Sequence, residues 1–322
     1  MRSGVFCMTK PIKVIFDTDP GIDDAMAYFY GHASDAIDII GMTTIFGNVS
    51  VANGTRNALW LSEVSGKNIP VFQGASEPLE MPARPHSSEV HGSKGFGAFE
   101  IAEVAQAVQS ESASDYLVRI ARENPAEIVL CAVGPLTNVA LAIQKDPEFI
   151  GNLKRLVIMG GSLDEGGNIS PFAEANFYND PHAADIVLKA PENGGPEDGE
   201  IVIIGLDVTN SITFSQENFD RIRALAPETG RFLSEIGQFY MDFYQSVSGK
   251  RYCSLHDPAA MVACVKPELF EMQLHRLSVV KGGERIGEMV RDGSTLRSCL
   301  VAMKADAQAV ADHFEAVVSR NP

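Results

Sequence analysis

Short apolar runs alternate along this chain with segments whose apolar positions recur at helical spacing. That alternation predicts βαβ units and a parallel sheet. Buried strands are expected over residues 13–16, 37–44, 69–72, 127–133, 155–159 and 201–205, with helices over 24–32, 51–65, 114–123, 136–144 and 181–189. Between residues 73 and 98 the periodicity breaks into a stretch containing Pro, Gly and His, and a loop of that length inside a compact domain is usually functional. Residues 160–168 form a second, glycine-rich loop, and 191–199 a polar surface turn. Later segments change character: helices over 216–225, 231–247, 258–265 and 307–318, and strands over 276–281 and 300–305. The expected fold class is α/β, an open and mainly parallel sheet flanked by helices, with C-terminal helical and strand additions. No internal repeat and no linker divides the chain, so residues 11–322 are expected to form one domain behind an N-terminal extension, residues 1–10.

Composition narrows the function classes. Apolar residues make up 45% and charged residues 21% of the chain, as in an ordinary globular protein. A net charge of −16 with no Lys/Arg-rich run argues against a nucleic-acid partner. No apolar stretch is long enough to span a membrane, and the first ten residues lack the apolar core of a signal peptide. Met8 offers an alternative start. Five widely spread cysteines, most of them in apolar runs, read as buried thiols of a cytoplasmic protein.

Ligands of open α/β sheets bind beyond the carboxyl ends of the strands, and those ends are polar here. The first strand runs into Asp17-Thr18-Asp19-Pro20-Gly21-Ile22-Asp23-Asp24, the second into Thr43, Thr44 and Asn48. The fourth leads to Gly134-Pro135-Leu136-Thr137-Asn138, the fifth to Gly160-Gly161, and the sixth to Asp207. Four aspartates in one buried turn repel one another and resist desolvation, so a cation is expected among them. A donor set made only of oxygens favours a hard ion, Ca²⁺ or Mg²⁺. Capping of the following helix would need fewer acids than this. Gly160-Gly161 and Gly166-Gly167 miss the dinucleotide G-x-G-x-x-G spacing, and Cys253 with His256 lacks further zinc ligands nearby. Asp180, before Pro181, reads as a helix cap.

The series resembles the inosine-uridine-preferring nucleoside hydrolase family. The resemblance rests on Asp17 to Ala25, Gly47-Asn48, His91-Gly92, Val133 to Asn138, Met159-Gly160-Gly161, Asn168, Glu174-Ala175-Asn176, Tyr244-Gln245 and His256-Asp257-Pro258. It implies hydrolysis of the N-glycosidic bond of ribonucleosides, in nucleoside salvage, by a calcium-activated water. Asp19, Asp24, Asp257 and the main-chain carbonyl of Val133 would hold Ca²⁺, and Asp19 would also take the proton of the attacking water. Asp23 would bind the 2′-hydroxyl; Asn48, Asn168, Glu174 and Asn176 the rest of the ribose, with Met159 beneath it. His256 would protonate the departing base, its ordinary pKa of ~6.5 suiting that task, while Tyr244 and His91 line the base pocket. Family members are dimers or tetramers, which implies a homo-oligomer. Two departures stand out: Ala175 replaces an aromatic residue of some members, making the pocket roomier, and residues 246–255 fit the family pattern poorly.

Two rival readings share some of these residues. An aspartate-dependent phosphohydrolase would use Asp17 as nucleophile with Mg²⁺, but leaves Asn168, Glu174, Asn176 and His256 without a role. A non-catalytic calcium-dependent nucleoside- or sugar-binding protein would need neither Asp19 as base nor His256 as acid.

Overall fold

The computed structural model describes residues 10–192 and 199–320. The expected N-terminal extension lies outside them except for Lys10, as does most of the expected turn over 191–199. Six strands appear in the expected order: β1 (Ile12–Thr18), β2 (Ile37–Thr44), β3 (Val71–Gln73), β4 (Ile128–Ala132), β5 (Arg155–Met159) and β6 (Glu200–Ile204). With Cys299–Ala305 and Phe270–His275 they form an eight-stranded sheet, ordered β3-β2-β1-β4-β5-β6 and then those two strands. Only the edge strand Phe270–His275 runs antiparallel to its neighbour.

Period-two alternation divides the core. Val14 and Phe16 of β1, with Val129 and Cys131 of β4, pack on one face. Ile15, Ile128 and Leu130 pack on the other. Both faces are covered, as a parallel sheet requires. The strand order reverses direction between β1 and β4, where β1 pairs with β2 on one side and β4 on the other. This switch point opens a crevice at the carboxyl ends of the two strands.

Local departures from expectation have physical causes. β3 starts at Val71 because Pro70 has no N–H to pair; its carbonyl accepts from Met42 instead. The strand expected over 276–281 is Leu277–Val279, and it pairs with Met289–Arg291 outside the main sheet. The main-sheet edge is taken by Phe270–His275, in which Phe270 alone is buried, so no apolar run announces it. Helix α1 (Ile22–Ala33) begins two residues before the expected position, placing Asp23 and Asp24 in its first turn. Helix α2 (Val51–Val64) matches its expected position, capped by Ser50. The helix expected from 258 starts at His256, with Pro258 tolerated inside the first turn. A short helix, α3 (Ser88–His91), interrupts the long loop. No helix among the described residues is long and apolar enough to cross a membrane.

Candidate active site

Asp19 leaves β1 at the switch point, and two glycines make room for it. A Cβ at Gly47 would stand 2.0 Å from Asp19 Oδ2, and one at Gly134 would stand 2.8 Å from Oδ1. The Asn48 backbone N–H donates to Asp19 Oδ2 at 2.6 Å, and its side-chain amide donates to Asp24 Oδ2 at 3.0 Å. Asp24 Oδ2 also accepts from the Gly21 N–H at 2.8 Å, the reach from third helical residue to N-cap. Its Oδ1 accepts from the hydroxyl of Thr18. The helix His256–Ala263 packs against α1 and brings a fourth acid to the cluster. Carboxylate oxygens of Asp23, Asp24 and Asp257 lie within 4.8 Å of one another. That trio contains Asp23 where the family resemblance implies Asp19.

The electrostatics show what this cluster lacks. Burial pushes Asp23 up to about 6. Asp19 and Asp257 are driven well above the usual carboxylate range, by burial first and then by the neighbouring acids. Burial and the charge of Asp23 raise Asp24 as well. Oδ1 of Asp19 and Oδ1 of Asp23 are buried without a hydrogen-bond partner among the described residues. Buried polar atoms normally find partners. Unpartnered carboxylate oxygens converging among four acids therefore fit a divalent cation of the hard, oxygen-binding kind.

Every expected site residue except Asp19 and Asp24 lines one cavity of about 380 Å³. Those two are buried, tied to the wall by Asn48. On the β5 side, the Asn176 amide donates to the Val133 carbonyl at 2.8 Å and the Met159 carbonyl at 3.1 Å. Glu174 accepts from the backbone N–H groups of Gly161, Asn176 and Phe177 at 2.9, 2.8 and 3.1 Å. It thereby caps the helix Ala175–Asn179 and braces the glycine loop, and burial lifts it to about 7. Asn168 Oδ1 accepts from the Ala175 N–H at 3.0 Å, and Ala175 lines the cavity.

Aromatic and imidazole groups form the opposite wall. Tyr240 and Tyr244, one turn apart on the helix Pro227–Ser248, have ring centroids 5.1 Å apart. Tyr240 Oη donates to Asp23 Oδ2 at 3.3 Å. His91 Nδ1 accepts from the Ile22 N–H at 3.2 Å, so the neutral ring carries its proton on Nε2. His256 is gripped at both nitrogens, 2.8 Å from Tyr244 Oη and 2.8 Å from Thr209 Oγ1. Burial, reinforced by His91, lowers His256 to about 4. The ordinary imidazole value assumed from sequence therefore does not hold in this wall.

A family model described as "Inosine-uridine preferring nucleoside hydrolase" matches residues 14–312. The chain belongs to this family. It is 37% identical over 281 residues to the "Probable uridine nucleosidase 1" of Oryza sativa subsp. japonica, covering 87% of this chain and 85% of that protein. It is also 37% identical over 277 residues to the "Non-specific ribonucleoside hydrolase RihC" of Salmonella paratyphi C, covering 86% of each. The solved "Plant nucleoside hydrolase - PpNRh1 enzyme" superposes with a TM-score of 0.90 at 33% identity, over 96% of this chain and 99% of that one. This nucleoside hydrolase is an enzyme that cleaves ribonucleosides to free base and ribose.

Several residues of the nucleoside hydrolase site escape sequence reasoning. Thr209 and Tyr240 touch His256 and Asp23, and Asn210 lines the cavity. The polar residue expected at the β6 end, Asp207, instead accepts from the Leu163 and Asp164 N–H groups at 2.8 and 2.7 Å. The one available signal for Tyr240 was its i, i+4 spacing from Tyr244. Asp17 does not line the cavity; its Oδ1 accepts from Thr43 and from Asn138, the latter at 2.8 Å. Its Oδ2 is buried without a partner among the described residues, and it is the family match that sets the phosphohydrolase reading aside. Asp180 caps the helix Pro181–Leu188, as its sequence context suggested.

Proposed function

We propose that this enzyme hydrolyses purine and pyrimidine ribonucleosides with Ca²⁺ as its ion, held by Asp19, Asp24, Asp257 and the Val133 carbonyl. The observation that carries this reading is the pair of unpartnered, buried oxygens on Asp19 and Asp23, set among acids beside the cavity. When bound, a divalent ion supplies Lewis-acid activation of water and a grip on a vicinal diol.

The residues divide the remaining work. Asp19 Oδ1 is free of protein donors and accepts the proton of the water that attacks the anomeric carbon. Asp23 accepts from the 2′-hydroxyl, while Asn48, Asn168, Glu174 and Asn176 shape the ribose wall around Met159. Carboxylates close to the sugar favour the positive charge that develops as the glycosidic bond lengthens. Negative charge building on the base raises the proton affinity of His256 beside it. Once it has taken up a proton from solvent, His256 passes one proton to the leaving base from its Nε2 side and returns to the neutral imidazole, while His91 and Tyr244 flank the base.

The carboxylate trio Asp23, Asp24 and Asp257 supports a second ligand set, in which Asp23 replaces Asp19 on the ion. Four buried, unpaired cysteines among the described residues support a reducing, cytoplasmic setting, and the family resemblance implies a homo-oligomer acting in nucleoside salvage. Residues 11–322 are read as one domain, since the strands of the main sheet extend from Ile12 to Ala305.

The test is release of ribose from inosine and uridine by purified protein. Full activity with calcium, none after EGTA, and little in Asp19→Ala are the expected results. Turnover that survives thorough chelation would sink the assignment of the ion.

A further inference from the structure

We infer that Thr209 is a positioning residue for the leaving-group end of the site: its hydroxyl donates to Nδ1 of His256 and holds the ring's proton on Nε2, which faces Tyr244. The inference rests on the proposed role of the His256–Tyr244 pair and adds what aims it.

Thr209 is fully buried at the end of the short helix Leu206–Thr209. That helix is pinned to the glycine loop after β5, because the Leu206 N–H donates to the Gly161 carbonyl at 3.0 Å. A Cβ at Gly205 would come within 2.6 Å of the same carbonyl, so only glycine permits this approach. Thr209 is β-branched, which restricts its χ1, and in the rotamer present its hydroxyl faces His256. Its only side-chain hydrogen-bond partner among the described residues is His256 Nδ1, at 2.8 Å.

The direction of that bond follows from satisfying both protons. A threonine hydroxyl carries one proton, and neutral imidazole carries one on either nitrogen. If Nδ1 bore the ring proton, Thr209 would accept it and its own proton would be buried without an acceptor. Tyr244 would then have to turn its O–H toward Nε2 and away from the leaving base. With Thr209 as donor, Nε2–H donates to Tyr244 Oη at 2.8 Å, and the tyrosine proton is left free of the imidazole. A carboxylate at position 209 would also orient the ring but would hold it charged; a hydroxyl orients it without doing so.

Thr209→Val removes the hydroxyl at nearly constant shape, and Thr209→Ser restores it. On inosine, Thr209→Val should lower kcat roughly ten-fold, the scale of one lost orienting hydrogen bond, with KM within about two-fold. On p-nitrophenyl riboside, whose leaving group needs no proton, it should match the parent enzyme, which also reports that the variant is folded. Thr209→Ser should recover inosine turnover to within about three-fold, and Thr209→Val should add nothing to His256→Ala. Should the valine variant fail to fold, Thr209→Ala must show the same substrate-selective loss. Equal losses on both substrates, unchanged inosine turnover, or an additive loss with His256→Ala would overturn the inference. If His256→Ala is itself unselective, the leaving-group role of His256 fails and the Thr209 role with it. If His256→Ala is selective and Thr209→Val is not, only the Thr209 inference falls.

Discussion

The side-chain amide of Asn176 donates to the main-chain carbonyl of Val133 at 2.8 Å, joining a ribose-wall residue to a proposed calcium ligand. The same amide holds the Met159 carbonyl, so one side chain fixes the ends of two neighbouring strands, β4 and β5. Asn176→Ala leaves both buried carbonyls short of a donor, at a cost of about 1–3 kcal/mol. Calorimetry should show a lower Tm, and kcat/KM for uridine should fall at least ten-fold. A variant as stable and as active as the parent would show that this amide does not set the wall.

Asp19 and Asp23 can be separated by their effects on calcium and on substrate. Asp19→Asn should weaken calcium binding at least ten-fold in a titration and remove most turnover. Asp23→Asn should chiefly raise KM for nucleosides, since its proposed partner is the 2′-hydroxyl. The opposite pattern, with calcium binding lost in Asp23→Asn and retained in Asp19→Asn, establishes the Asp23, Asp24 and Asp257 set.

Stability should depend on pH and calcium together. Burial raises the folded-state pKa of Asp23 to about 6 and that of Asp19, Asp24 and Asp257 above the ordinary carboxylate value. A raised carboxyl binds its proton more tightly in the folded state than in the unfolded chain, where its pKa is ~3.9. Its contribution to stability is therefore complete below that value and is lost as pH climbs through the folded pKa. Without calcium the cluster destabilises the protein increasingly from pH 5 to pH 8; a bound cation offsets that charge. The gap between Tm with calcium and Tm with EGTA should widen over this range. A constant gap would mean the cluster does not titrate.

Gly47 tests the close packing around Asp19. Gly47→Ala would drive a methyl to 2.0 Å from Asp19 Oδ2, and the carboxylate must move or the loop must open. We expect kcat to fall at least a hundred-fold while circular dichroism stays unchanged. Retained activity would show that Asp19 has freedom the packing does not suggest.

Much of this site was legible because its chemistry is concentrated at strand ends. The acids from Asp17 to Asp24 begin inside the buried end of the first strand and continue past it, and His256-Asp257-Pro258 has the composition of a helix start. Asp19 and Asp24 are held by Asn48, which the same pattern had singled out. Less visible were groups whose importance comes from a neighbour distant in the chain. Thr209 is an unremarked hydroxyl until His256, 47 positions on, is packed against it. Tyr240 gains meaning from Asp23, 217 positions away.

Residue order alone determined the alternation of buried strands and helices, because hydrophobic period is a local property, and it determined that a cation-seeking run of acids ends the first strand. Tertiary packing decided which acid stands beside which. It brought carboxylate oxygens of Asp23, Asp24 and Asp257 within 4.8 Å of one another, and it lowered His256 to about 4 by burying it. Distances between carboxylates and the exclusion of water are set by contacts between remote segments, and no local pattern encodes them.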